Sequence, residues 1–146
     1  MLFRSAKVGE TADRYLQAVN AVKLASQGNK AADGALIYAI GKIYDPSGAV
    51  QEGDKTTIVG NRSIPETVKG LANKAFKGES LLPSERKKLL DMAQSIVESK
   101  SRNLEKIRQP YVELSKSFGG TGNLLRNPLD EAISERGTLD NILGGQ

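Results

Sequence analysis

Apolar residues recur at helical spacing along most of this chain. From Ala6 to Ser26 the positions Val8, Ala12, Tyr15, Val19 and Val22 step by four, three, four and three, which predicts a helix with a narrow apolar stripe. Glu10 and Arg14 stand one turn apart on its outer face, in the favourable acid-first order. Gln27-Gly28-Asn29 is expected to end it, with Gly28 as a left-handed cap. A second helix is predicted from Lys30 or Ala31 to Tyr44. Its face of Leu36, Ile37, Ile40, Ile43 and Tyr44 is wider, so this helix is expected to be central. Gly34 and Gly41 weaken it by roughly 1 kcal/mol each relative to Ala, while Gly41 would let another helix approach closely. Pro46 has no backbone N–H and pushes Asp45 out of the helical region, so the helix should stop at Tyr44 or Asp45.

The loop Asp45–Asn61 follows, with Thr56-Thr57-Ile58-Val59 as its one β-prone piece, expected to lie as an extended arm over the helices. Ser63-Ile64-Pro65-Glu66 has the spacing of a capping box and opens a third helix that buries Val68, Leu71, Ala72, Ala75 and Phe76 and closes at Gly78. Leu81-Leu82-Pro83-Ser84-Glu85 opens the last long segment, helix-compatible to Phe118. Its stripe is Leu89, Ala93, Ile96, (Lys100), Leu104, Ile107, Tyr111, Leu114 and Phe118. At 1.5 Å per residue the segment could reach roughly 50 Å, too long to bury against the shorter helices alone. Pro110 should kink or break it. The part beyond Ile96 is therefore expected to project and to need a partner. Phe118-Gly119-Gly120-Thr121-Gly122-Asn123 reads as a flexible joint, Asn127–Arg136 as a short capped helix ended by Gly137, and Thr138–Gln146 as a weakly held tail. The fold class expected is all-α: a small irregular helical bundle over residues 1–118, with one long C-terminal helix kinked near Pro110 and a flexible tail over 119–146.

Composition narrows the chemistry more than the architecture. With 146 residues the chain is one domain, its core lean because apolar residues are 38% and aromatics 5%. There is no Cys, His or Trp, which excludes disulfides, Cys- or His-ligated metals, and mechanisms that use a His base or a Cys nucleophile. A net charge of +4 is mild for 26% charged residues and by itself favours a solvated surface over a nucleic-acid footprint. No apolar run approaches the roughly 20 residues that span a bilayer. Met1-Leu2-Phe3-Arg4-Ser5 lacks the apolar core of a secretory signal and enters a helical pattern at once, so the chain is expected to be a piece of something longer.

Few residues suggest a reaction. Asp45–Asp54 has the acids and glycines of a cation loop, but the twelfth position from Asp45 is Thr56 instead of a bidentate Glu, and the glycines are misplaced. The preferred reading is a helix stop in which Asp45 and Glu52 cap nearby backbone N–H groups. Glu79-Ser80 matches the acid-bearing pair of lytic transglycosylases, yet it sits in a turn without that family's other elements. No glycine cluster follows a strand or precedes Lys-Ser/Thr, so none is a phosphate loop. The most basic run, Arg86-Lys87-Lys88 with Lys100, Arg102, Lys106 and Arg108, is interleaved with Glu85, Asp91, Glu98 and Glu105. It reads as a solvated helix face, with a weak sequence-independent DNA contact as the alternative. The stripe Leu104, Ile107, Tyr111, Leu114 and Phe118 fits either a local hairpin or a helix–helix interface with another chain. No cofactor, metal or small-molecule substrate is expected, and no catalytic residue.

Ile40-Gly41-Lys42-Ile43-Tyr44-Asp45-Pro46-Ser47-Gly48-Ala49-Val50-Gln51-Glu52-Gly53-Asp54, then Ile64-Pro65 and Gly78-Glu79-Ser80-Leu81-Leu82-Pro83-Ser84-Glu85-Arg86 at helix openings, resembles a helical module of tailed-bacteriophage virion proteins. The module occurs in large internal or ejected (DNA-transfer) proteins, and the resemblance covers about Ala32 to Ser99. Its distinctive part is Lys-Ile-Tyr-Asp-Pro-Ser…Val…Glu, which makes Asp45, Pro46, Val50 and Glu52 the motif loop. Two positions depart from the pattern. Gln51 stands where an Arg is usual, removing a charge, and Leu82 stands where a Thr precedes the proline, so that helix needs another cap. The resemblance implies a non-enzymatic structural or assembly component, made in the bacterial cytoplasm and carried in the virion, partnered by other virion proteins or by copies of itself.

Overall fold

Two glycine turns and one proline divide the first part of the chain. In the computed structural model, which describes residues 6–119 and 128–144, Gly28 (φ +93°) and Gly78 (φ +86°) both take left-handed backbone after a helix. In each, the next residue's N–H reaches five residues back, Asn29 to Leu24 and Glu79 to Lys74, which satisfies the last carbonyls of the helix. For residues 6–8, 108, 111, 112, 115 and 144 only the backbone is described. The order is α1 (Ala6–Ser26), α2 (Ala32–Tyr44), α3 (Thr56–Val59), α4 (Glu66–Phe76), α5 (Pro83–Ser117) and α6 (Pro128–Gly144). Among the described residues there is no strand, and the molecule is a small all-α bundle.

α2 is central, as its wide face predicts: Leu36, Ile37 and Ile40 are wholly enclosed. α1 is more central than a narrow stripe would make it. It packs most extensively on α2 and then on α6 and α5. Besides Ala12, Tyr15, Val19 and Val22 it buries Thr11, Ala18, Ala21 and Ala25, which together cover about half of the helix circumference at 100° per residue. The extra residues are mostly alanines, too small to stand out in a hydropathy pattern yet suited to close approach. Val8 lies outside the side chains described.

Three local expectations are corrected, and a fourth, the kink or break at Pro110, is narrowed by the absence of a break. Thr56–Val59 is one turn of helix instead of an extended arm, because Asp54 Oδ1 accepts from the N–H (3.0 Å) and hydroxyl (2.5 Å) of Thr56 and so starts a helical turn. The capping box at Ser63 does not form. Pro65 occupies the cap position of α4 without a side-chain bond, Glu66 pairs with Lys69, and Ser63 is held by Asn61 Oδ1 (2.8 Å). α5 runs through Pro110 without a break, the missing N–H costing one intrahelical bond to the Lys106 carbonyl. Residues 128–144 are a single helix that continues past Gly137, and Leu129, Ala132 and Leu139 are buried in the common core. The expected short helix and loose tail are thus a packed element as far as Gly144. Of the joint over 118–123, Gly119 takes a positive φ (82°), and residues 120–123 lie outside the described chain.

Gly41 has the packing role expected of it, against the loop residue Val50 and against Ile58 of the short helix α3. A Cβ placed there would sit 3.2 Å from Val50 Cγ1 and 3.6 Å from Ile58 Cγ1. Val50, 1% exposed, and Ile58, also 1%, therefore lie directly on the backbone of α2. We expect Gly41→Ala to lose to this contact most of the helix-propensity gain of about 1 kcal/mol. In a Val50→Ala background the same change should recover that gain. A urea-denaturation cycle that shows additive effects would contradict the contact.

Candidate functional site

The motif loop is built from α2 outward. Asp45 closes the helix by giving its N–H to the Gly41 carbonyl (2.8 Å). Its Oδ1 accepts from the Ser47 N–H (3.1 Å) and Ser47 hydroxyl (2.5 Å), and its Oδ2 from Asn61 Nδ2 (2.5 Å). These hydrogen bonds, from Ser47 first and then Asn61, hold the Asp45 carboxyl below its ordinary range. The carboxylate therefore clips the two ends of the loop together. Pro46 and Glu52 are exposed. Of the two expected caps, Asp45 acts as one; Glu52 instead lines a shallow groove with Arg14, Ala21 and Tyr38. Val50 anchors the loop on Gly41. Of the four motif residues, Asp45 and Val50 hold the loop through contacts, while Pro46 and Glu52 are exposed at its surface.

A second polar cluster ties α2 to α5. Asp33, in the first turn of α2, receives Arg86 through Nε on Oδ1 (2.8 Å) and Nη2 on Oδ2 (3.0 Å), and the Leu81 N–H on Oδ2 (3.0 Å). The two side chains are only 6% and 11% exposed. Burial alone would push the Asp33 carboxyl up; the Arg86 and Leu81 hydrogen bonds and the Arg86 charge outweigh it and hold the group low. The start of α5 supplies its own cap. Glu85 Oε1 accepts the Leu82 N–H (2.8 Å) and Lys74 Nζ (2.8 Å), which is half of a capping box with Leu82 where the hydroxyl residue would stand.

The third cluster docks α6. Arg136, 5% exposed, reaches Gln94 Oε1 (2.6 Å) and Asp91 Oδ1 (2.5 Å), and Tyr15 donates to the same Gln94 oxygen (3.3 Å). The Arg136 Nε has no hydrogen bond, and the Asp140 carboxylate faces it at 3.5 Å. Burial pushes the Tyr15 hydroxyl up to about 12, against the opposing pull of Arg136. Beside this cluster a groove of about 550 Å³ runs between Val22, Pro83, Leu90, Arg136, Asp140 and Leu143. Of its charged groups, Arg136 pairs with Asp91 and Asp140, and Lys87, which also lines it, pairs with Asp91. None of Asp33, Arg136 or Gln94 was singled out by sequence reasoning. Arg136 carried a signal: it occupies the apolar face of α6, in line with Leu129, Ala132, Ile133 and Leu143, where an arginine must find partners.

The projection expected beyond Ile96 begins later, because α6 packs on α5 there: Val97, Ser101 and Leu104 are buried, so Leu104 belongs to the chain's own core and not to an exposed partner stripe. Leu104 is 5% exposed, whereas Ile107 is 51%, Leu114 55% and Phe118 83% exposed. The Tyr111 side chain lies outside the description. The stripe and the motif loop are not brought together into one site. Glu79 is exposed in the turn before α5. Among the described residues no group of three acids could hold a metal ion, and no helix is long and apolar enough to cross a membrane.

Breaking the Asp33–Arg86 pair should be expensive. Asp33→Asn leaves a buried guanidinium uncompensated and is expected to cost about 3 kcal/mol in denaturant unfolding. Because Asp33, Asp45, Glu85 and Asp91 are all held low, the unfolded chain takes up protons first on acidification. Stability should fall as pH drops below about 4 and through the lower folded values, less steeply in Asp33→Asn. At the other extreme, stability tied to neutral Tyr15 is present below about pH 10 and should be lost as pH rises toward 12, with late ionisation at 295 nm. Set against protein-family models, curated proteins and solved structures, the chain matches none of them, which leaves its function to be argued from this geometry and from the resemblance of its motif.

Proposed function

We propose that this chain is a non-enzymatic assembly component of a tailed-phage virion, part of an internal or ejected protein that takes part in genome delivery. One observation carries the assembly reading: α5 outruns its own core. Among the described residues its last buried one is Leu104, and the thirteen residues from Glu105 to Ser117 continue the helix with Ile107 and Leu114 about half exposed or more. An apolar stripe at three–four spacing on a projecting helix is a surface made for another helix. The virion setting rests on the motif resemblance, whose residues Asp45, Pro46 and Val50 form an ordered loop on α2.

The alternative, a weak DNA contact, has less to draw on. Arg86 is turned inward to Asp33 and Lys87 pairs with Asp91 at 3.2 Å, so the densest basic run is largely committed. Exposed Lys88, Arg102, Lys106 and Lys116 remain, interleaved with acids. Duplex binding that weakens steeply with salt would favour this alternative.

The assembly reading is tested by sedimentation. The chain should associate as its concentration rises through the micromolar range. Ile107→Lys with Leu114→Lys should weaken that association at least tenfold, since each buried aliphatic side chain contributes about 1.5–3 kcal/mol. Both positions are exposed in the single chain, so the melting curve should move little. A compact monomer at every concentration would overturn the reading.

A further inference from the structure

The groove between α1, α5 and α6 combines an apolar base with a polar edge. Val22 and Leu90 are buried in it and Leu143 is half-buried, while Ser84, Lys87 and Asp140 are exposed. Its volume of about 550 Å³ falls within the roughly 300–1,000 Å³ of small-molecule sites, which are likewise mostly apolar with a few polar groups.

The lining favours an anion. It carries two cations, Lys87 and Arg136, and one carboxylate, Asp140. Asp91, which serves both cations, lies outside the lining. The groove also meets the first turn of α5, where the helix dipole adds partial positive charge. Pro83 has no N–H there, and the Glu85 and Arg86 N–H groups both go to the Leu82 carbonyl. The Ser84 N–H is thereby left without an acceptor among the described residues.

A second observation comes from inside the groove. The Arg136 side chain is only 6% exposed. Its Nη1 and Nη2 donate to Gln94 and Asp91, neither of which lines the groove. Its Nε is turned to Asp140, which does line it, and makes no hydrogen bond. Buried donors are nearly always satisfied, so this one marks a place for an acceptor. Asp140 fills that place poorly. Its carboxylate stands 3.5 Å away without hydrogen-bond alignment, and 57% of its side chain is in water.

We propose that this groove binds a single-chain aliphatic carboxylate, an amphiphile of the fatty-acid kind. The ligand's carboxylate replaces Asp140 at Arg136 Nε, and Asp140 turns outward into the solvent it already meets. Lys87 and the start of α5 add attraction to the same head group. The tail lies over Val22, Leu90 and Leu143. A cationic head would meet two like charges and the positive end of a helix. This site is separate from the assembly reading, which uses the far end of α5.

Decanoate, kept below its micelle concentration, tests the site when titrated into the ¹⁵N-labelled full chain. Saturable binding is expected, with a shift of the Arg136 Nε–H resonance and of the Leu90 and Leu143 amides. Octanoate, shorter by two CH₂ groups, should bind about tenfold more weakly if the tail is buried. Lys87→Gln should weaken decanoate about threefold, and Asp140→Ala, which removes the competing carboxylate, should tighten it by a similar factor. Both positions are exposed, so the amide spectrum reports directly that each variant is folded. Decylammonium, the same tail with a cationic head, should not bind. Absence of saturation, equal binding of decylammonium, or shifts that leave Arg136 Nε–H unmoved would each overturn the proposal. So would weaker binding in Asp140→Ala or unchanged binding in Lys87→Gln.

Discussion

A helix longer than everything that packs against it cannot be covered within its own domain. α5 has 35 residues and a length of about 52 Å, while α1 with 21 residues and α6 with 17 reach about 31 and 25 Å. The apolar stripe of α5 does not stop where these neighbours stop. Leu104 marks the edge, and the exposure of Ile107 and Leu114 beyond it follows from length mismatch alone. Apolar area left in water forgoes about 25 cal/mol per Å² that burial would supply. Helical apolar spacing is thus kept across a projection that the described neighbours leave in water, through a proline that weakens the helix.

Polar clusters fix where that projection points. Buried ion pairs are weak sources of net stability, since desolvation offsets much of their attraction, but a mismatched one is costly. Asp33 accepts both Arg86 and the Leu81 backbone, so the start of α5 can sit in one place relative to α2. Glu85 adds a tie to Lys74 on α4. Arg136 with Gln94 and Asp91 sets the register of α6 on α5 by the same logic. The apolar core would tolerate some sliding of these helices. The clusters penalise it, and the arm inherits a defined direction.

The elements most legible in the sequence are those whose cause is local. Gly28 and Gly78 end their helices by backbone freedom, and Asp45-Pro46 stops α2 by sterics; each acts within a few residues. The wide face of α2 and the uncovered end of the α5 stripe follow from counting positions. What escaped depended on distant partners. Thr56–Val59 has strand propensity, but with no second strand nearby the side-chain bonds of Asp54 decide in favour of a helical turn. Ala18, Ala21 and Ala25 matter because α2 comes close, which their size permits but does not announce. Residues 138–144 look weakly apolar alone, yet Leu139 is buried because α1, with Leu16 and Val19 beside it, supplies its surroundings. The polar clusters were least visible, since Asp33 and Arg86 are 53 positions apart.

The motif loop illustrates how a distinctive string of residues can be distinctive for packing. Val50 rests on Gly41 at a distance no side chain at that position would allow without displacement, and Asp45 joins Ser47 to Asn61 across the loop. Asp45 and Val50 each constrain another residue through contact, which an exposed helix face does not require. Contacts of this kind stabilise the fold. They say nothing of the surface outside the motif, where the folding of the single chain imposes little. On α5 that surface begins just after Leu104, and it differs from the motif in the one respect that matters for assembly: its apolar side chains have room for another helix.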